Sequence, residues 1–262
     1  MKYSLKTVKD SLPENKRKTD SLWTKLWARK AGIGLAYLLL NMGVMPNTVS
    51  KFVVVLSIAG SVLLCINNSV VMLIGAIVLN LFIMFDCVDG TMARTLKRNS
   101  YMGEFFDAIG GYTMTAFSMV GAGVAAYYTS VHIPTDDRFL LVLIGALGGV
   151  TDIFARLIYQ KYTCNEIFAN RKIGVTEISR ENDTVDRKNW ESNIFLFLRL
   201  LIDRELGIAG FYPPLLLIGV IFNVLDIIVA LYALYHIMAF LLILIVFMRK
   251  ADALAIKELI HN

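Results

Sequence analysis

The sequence predicts an all-α integral membrane protein, with six transmembrane helices behind an N-terminal interfacial amphipathic helix. Three features of the chain lead there. Of its 262 residues, 56% are hydrophobic and only 18% charged, whereas about a quarter of a soluble domain is charged; mean hydropathy is +0.61. The charges are grouped in blocks, between apolar runs long enough to cross the roughly 30 Å hydrocarbon core of a bilayer as helices. If six such runs cross in turn, every one of the 26 basic residues except Arg138 falls on the side holding both termini. Basic residues collect on the cytoplasmic face. Both termini are therefore expected inside, with the chain in the cytoplasmic (inner) membrane.

Residues 1–20 carry six basic residues, among them Lys2, Lys16 and Arg17, with Asp10 and Glu14 interspersed. This pattern predicts a solvated cytoplasmic tail that touches lipid headgroups at most. No apolar core with a small-residue cleavage site precedes it, so no signal peptide is expected. Over 21–45, Trp23, Leu26, Trp27, Leu35 and Leu38 recur at helical spacing among Lys25, Arg29 and Lys30. Tryptophan beside basic residues marks a membrane interface. The charge-free run Ala31 to Met45 is too short to span. An interfacial helix is predicted here.

Pro46-Asn47 ends that helix and opens the first span, because proline suits the first helical turn and disfavours helix before it. Spans are expected near 47–66, 70–94, 101–128, 138–160, 206–226 and 229–248. They form one bundle over 46–250, and the whole chain 1–262 is one domain. Between the fourth and fifth spans lies the polar segment 161–200. Its apolar stretch Phe195 to Ile202 leaves two readings open, a second interfacial helix or a lid over a cytoplasmic site. Asp226, by the last turn, is expected to be solvated.

Three cysteines, Cys65, Cys87 and Cys164, form no CxxC pair. Neither a disulfide framework nor a zinc site is indicated, and Cys87 reads as a helix-packing residue. The net charge of +5 lies beside apolar spans and does not imply nucleic acid. His132, His236 and His261 are scattered. Gly145, Gly148 and Gly149 read as close helix packing.

The chemistry is concentrated between Phe85 and Gly111: FDCVDGTMARTLKRNSYMGEFFDAIGG. Carboxylates within a span are costly and mark function by default. On one helix, Asp86, Asp89, Gly90, Ala93 and Arg94 share a face. Two carboxylates one turn apart repel unless a cation lies between them, and oxygen donors suit Mg²⁺, Mn²⁺ or Ca²⁺. Gly90 and Ala93 clear that face of bulk. Arg94 offers a fork for phosphate. On the next helix Gly103, Asp107 and Gly111 share a face, and Asp107 completes a three-carboxylate site. Metal, arginine and a cleared face together suggest phosphoryl transfer from a nucleotide-linked donor.

These residues resemble the signature of the CDP-alcohol phosphotransferases: D-x2-D-G-x2-A-R, eight residues, then G-x3-D-x3-D. Asp86, Asp89, Gly90, Ala93, Arg94, Gly103 and Asp107 match in type and spacing; Gly111 stands where the family has its fourth aspartate. The likeness extends in outline to the interfacial helix, the Pro-Asn opening and the six spans, but only about thirty residues carry it specifically. It implies a homodimer in the bilayer that binds a CDP-linked donor. The phospho-alcohol would pass to a lipid or membrane-linked acceptor with release of CMP. By position, Asp86, Asp89 and Asp107 would ligate Mg²⁺ or Mn²⁺. Gly90, Ala93 and Gly103 would leave room for the nucleotide, with Arg94 steadying phosphates.

In that family the fourth aspartate is read as a second-metal ligand and as the base for the acceptor. Gly111 can be neither. Glu104 is seven residues away, about 10 Å along the axis, and reads as a cap or salt-bridge residue. Asp152, four residues before Arg156, is the candidate base from another helix; the alternative is a structural ion pair. The Gly-Lys-x-Lys-Thr-like element expected of a glycerol-phosphate user is not evident. Three readings follow: an active transferase, a relative that binds nucleotide or lipid without turnover, and an unrelated cation-binding transporter.

Overall fold

The computed structural model describes residues 3–98, 101–172, 204–207 and 209–261. All regular structure among them is helical. In chain order the helices are α1 (Leu5–Asp10), α2 (Glu14–Thr19), α3 (Arg29–Asn41), α4 (Pro46–Leu64), α5 (Ser69–Thr95), α6 (Tyr101–Thr129), α7 (Phe139–Lys172), α8 (Tyr212–Phe222) and α9 (Leu225–His261), with a π-helical turn, Thr24–Ala28, leading into α3.

The sequence dictates most of the breaks. Pro46 opens α4 after an extended Met45. Asn68 starts α5 by accepting hydrogen bonds from the backbone N–H groups of Val70 and Val71, which satisfies two of the orphan donors of a helix start. Asn223 takes a left-handed conformation (φ 55°) that ends α8; asparagine tolerates this better than most residues.

Among the described residues, five helices are long and apolar enough to cross a membrane: α4, α5, α6, α7 with the turn before it, and α9. The fifth apolar run, expected as a span over 206–226, forms a helix of only 11 residues, about 16 Å long. Pro213 and Pro214 in its first turn keep this helix from continuing upstream, and Asn223 closes it. Buried polar bonds hold it within the bundle instead. Asn80 of α5 donates to the Pro213 carbonyl at 2.9 Å, and Tyr212 pairs with Ser118 of α6 at 2.8 Å.

α4 packs on both α5 and α6, α6 on α7, and α7 on α9, while α3 lies along α5. Methionine and leucine fill the centre, with Met72, Leu79, Met114, Met119 and Leu216 fully buried. Small residues set the helix spacing. A Cβ on Gly121 would lie 2.6 Å from the Ser61 carbonyl oxygen, and one on Gly145 would meet the Met119 carbonyl oxygen. Close packing is thus the role of Gly145, Gly148 and Gly149, as their spacing suggested. Outward, Leu143, Leu147, Val150 and Phe154 of α7 and Leu231, Leu234 and Met238 of α9 are exposed, an apolar surface suited to lipid.

Several expectations need correction. The N-terminal tail is not merely solvated: Val8 is fully buried and Leu12 nearly so. Val8 lies within α1 and Leu12 just past its end, and together they give a charged segment its apolar contact. Ser11 meets Thr95 at the end of α5 at 3.1 Å. α7 does not stop near 160 but runs to Lys172, since no proline or glycine interrupts it; the rest of the polar segment lies outside the described residues. α9 likewise runs past 248, to His261. Asp226 is buried. It accepts hydrogen bonds from Ser130 Oγ and the Ile227 N–H and lies 2.9 Å from His132 Nδ1, because the start of a helix offers donors that a carboxylate can satisfy.

Candidate active site

The site forms where the C-terminal half of α5 faces the first turns of α6. Helical register puts Asp86 and Asp107 on facing sides, with their carboxyl groups close together. Among the described residues no lysine or arginine makes an ion pair with Asp86, Asp89 or Asp107. Asp89, one turn on, is buried and accepts a hydrogen bond from Ser50 Oγ of α4 at 2.7 Å. Ser50 is a member the sequence did not signal, a plain serine one turn after the proline that opens α4. Among the described residues no three acidic, histidine or cysteine side chains converge into a ready-made metal cage. The donors nevertheless fit a hard divalent cation: carboxylate oxygens alone, two of them close together with no basic partner.

Arg94 folds back along α5. Its Nη2 reaches Thr91 Oγ1 at 3.4 Å, and its buried Nε has no hydrogen-bond partner. A Cβ on Gly90 would lie 3.2 Å from Arg94 Nη1. The space cleared by Gly90 is thus where the guanidinium rests. Ala93, near the end of α5, and Gly103, in the first turn of α6, are partly exposed. Cys87 is buried against α3, where a Cβ on Gly32 would come within 3.0 Å of it, which bears out its reading as a packing residue. Glu104 is exposed, with no bond to another described residue.

A cavity of about 200 Å³ opens beside the facing carboxylates, lined by Phe82, Ile83, Asp86, Asp107, Gly111, Arg156 and their neighbours. It includes the position where the resemblance puts a fourth aspartate. Asp152 does not line it. Arg156 does, with its Nε donating to Asp152 Oδ2 at 2.7 Å and its guanidinium 5.6 Å from the centre of the Tyr112 ring. Behind Asp152 lies His236 of α9, with Nδ1 3.4 Å from Oδ1. The Asp152–Arg156 spacing was legible; nothing in the sequence marked His236, 84 residues further on, as their neighbour.

The N-terminal segment backs one wall. Ala209 lines the cavity, and its carbonyl accepts hydrogen bonds from the Ser21 and Thr24 hydroxyls. The Leu22 N–H donates to Glu205 Oε2 at 2.9 Å. A buried pair, Arg29 Nε and Nη2 to the two oxygens of Asp20 at 2.8 and 2.9 Å, anchors that segment.

No curated protein matches this chain. The pattern of the CDP-alcohol phosphatidyltransferases matches residues 43–176, from the turn before α4 past the end of α7, with every motif residue inside. Members transfer a phosphoalcohol from a CDP-alcohol to an acceptor and use divalent metals. The match covers just over half of the sequence, and the chain belongs to the CDP-alcohol phosphatidyltransferase family.

Proposed function

We propose that this protein transfers a phospho-alcohol from a CDP-activated donor to a lipid or membrane-linked acceptor, releasing CMP at the cytoplasmic membrane face. One observation supports this above the rest: Asp86 and Asp107 lie close together, without a basic partner, on the wall of a cavity large enough for a phosphoryl group and its acceptor. Asp86 and Asp107 would hold Mg²⁺ or Mn²⁺, with Asp89 turning from Ser50 to join them. Such a cation, when bound, neutralises phosphate charge and polarises the phosphorus under attack. Around it, Arg94 has the reach and the unsatisfied Nε to take up a donor phosphate. With Arg94 drawn onto that phosphate, the space at Gly90 is vacated, and Gly90, Ala93 and Gly103 keep bulk away from the nucleotide. Asp152 holds the Arg156 fork in place. The apolar outer surface suits a bilayer and a second copy of the chain, and we take the working form to be a homodimer.

Gly111 favours a second reading, a relative that binds nucleotide without turnover, because the cavity has no carboxylate at that position. CMP release separates the two. Purified protein with Mg²⁺ and a panel of CDP-linked alcohols should release CMP in the presence of membrane acceptors. Tight CMP binding with no release from any donor would establish the second reading.

A further inference from the structure

We propose that the cavity beside Gly111 takes its acceptor as a phosphate monoester held by Arg156, and that a phosphate oxygen is itself the nucleophile. This rests on the transfer reaction proposed above and names the class of its acceptor. Arg156 is the one basic side chain among the described residues that line the cavity, and Gly111 lies on the same wall. Its Nε is committed to Asp152, which His236 backs from α9. The two Nη groups make no hydrogen bond to another described residue, and the guanidinium side chain is 35% exposed. An anchored Nε with both Nη groups free is a fork preset for bidentate recognition of an oxyanion.

A guanidinium stays protonated in proteins and cannot act as a base. A site with arginine and glycine in place of a carboxylate therefore suits an acceptor that has no proton to lose. A phosphate monoester is such an acceptor, close to dianionic near neutral pH. One of its oxygens forms a bond to the phosphorus that carries the donor's alcohol. The bond from that phosphorus to the bridging oxygen breaks, and its electron pair leaves with CMP. One phosphoanhydride is broken and one is made, so no proton moves and charge balances. A carboxylate acceptor would have to form an acyl phosphate, a higher-energy anhydride, and is the poorer fit. Asp86 and Asp107 share the cavity, so phosphate binding should require a divalent cation to offset their charge.

The test uses full-length protein in phosphatidylcholine nanodiscs with saturating CMP. Dodecyl phosphate, methyl phosphate and, as the uncharged twin, dodecanol are titrated with and without Mg²⁺. A phosphate should bind in the presence of Mg²⁺, and dodecanol should not compete with it. Arg156→Gln should weaken the phosphate about 10- to 100-fold, the range for a hydrogen bond to a charged group, at unchanged CMP affinity; Arg156→Lys should fall between. Preference for dodecyl phosphate identifies a membrane-borne acceptor, and preference for methyl phosphate a soluble one. Equal binding of alcohol and phosphate, or undiminished phosphate affinity in Arg156→Gln, overturns the proposal. If Arg156→Gln also loses CMP, Arg156→Lys and the alcohol comparison decide. Wild-type protein that binds CMP but no phosphate overturns this inference alone; failure to bind CMP removes the transfer reading with it.

Discussion

Removing Asp20 should damage the protein in two separable ways. The Asp20 and Arg29 side chains are only 5% and 11% exposed and meet in a bidentate pair. Burial works against the Arg29 charge, but the hydrogen bond it donates to Asp20 and the fields of Cys87, Asp20 and Asp86 together outweigh it, so the guanidinium stays above its ordinary value. Asp20→Ala leaves that charge buried and unpaired, at a cost of about 3–5 kcal/mol. Replacing both partners, Asp20→Leu with Arg29→Met, leaves no charge behind and should cost far less. The second effect is local. Ser21 and Thr24, whose hydroxyls hold the Ala209 carbonyl at the cavity wall, follow directly on Asp20. The double variant should therefore keep most of its thermal stability in detergent yet lose affinity at the cavity. Melting curves and CMP or substrate binding on the three proteins decide it. An Asp20→Ala protein as stable as wild type, or a double variant as unstable as the single, would refute the reasoning.

Asp107→Asn should remove the Mg²⁺ dependence of CMP binding, because one lost carboxylate dismantles the facing pair; unchanged dependence in a titration would sink the shared site. Gly145→Leu should destabilise the bundle by at least the 1–3 kcal/mol typical of overpacking, since its side chain would meet backbone on α6 rather than a flexible tip; a wild-type melting curve would count against that spacing. Gly111→Asp should lower native activity if the cavity serves an anionic acceptor, by placing a carboxylate opposite the phosphate. Gain of transfer to a hydroxyl acceptor such as diacylglycerol would show instead a site crippled by one substitution. Cysteines introduced at Thr135 and Asn182 test the topology: an impermeant reagent outside intact cells should modify only the first.

What the sequence revealed and what it hid divide along a physical line. Apolar runs, Pro46 and the motif aspartates act through local rules, period and backbone preference, so the class of fold, the starts of α4 and α5 and the facing of Asp86 with Asp107 were all readable. The length of α8 was not. Its apolar run continues on both sides, and only the paired prolines, the Asn223 turn and the polar bonds to Asn80 and Ser118 confine it. The tail looked solvated because charge dominates its composition, while two residues, Val8 and Leu12, are enough to dock it. Around the cavity the divide matters most. The loss of a carboxylate at Gly111 was legible as a departure from a pattern, and Asp152 was the natural substitute because it is acidic and on a neighbouring helix. The fold reverses the order of that pair: Asp152 is held back against His236 of α9, and Arg156, one turn on along the same face and with the longer side chain, reaches the cavity beside Gly111. A base and a cation at the same cavity wall call for opposite acceptors, and one helical turn, which no spacing rule assigns to either neighbour, decides between them.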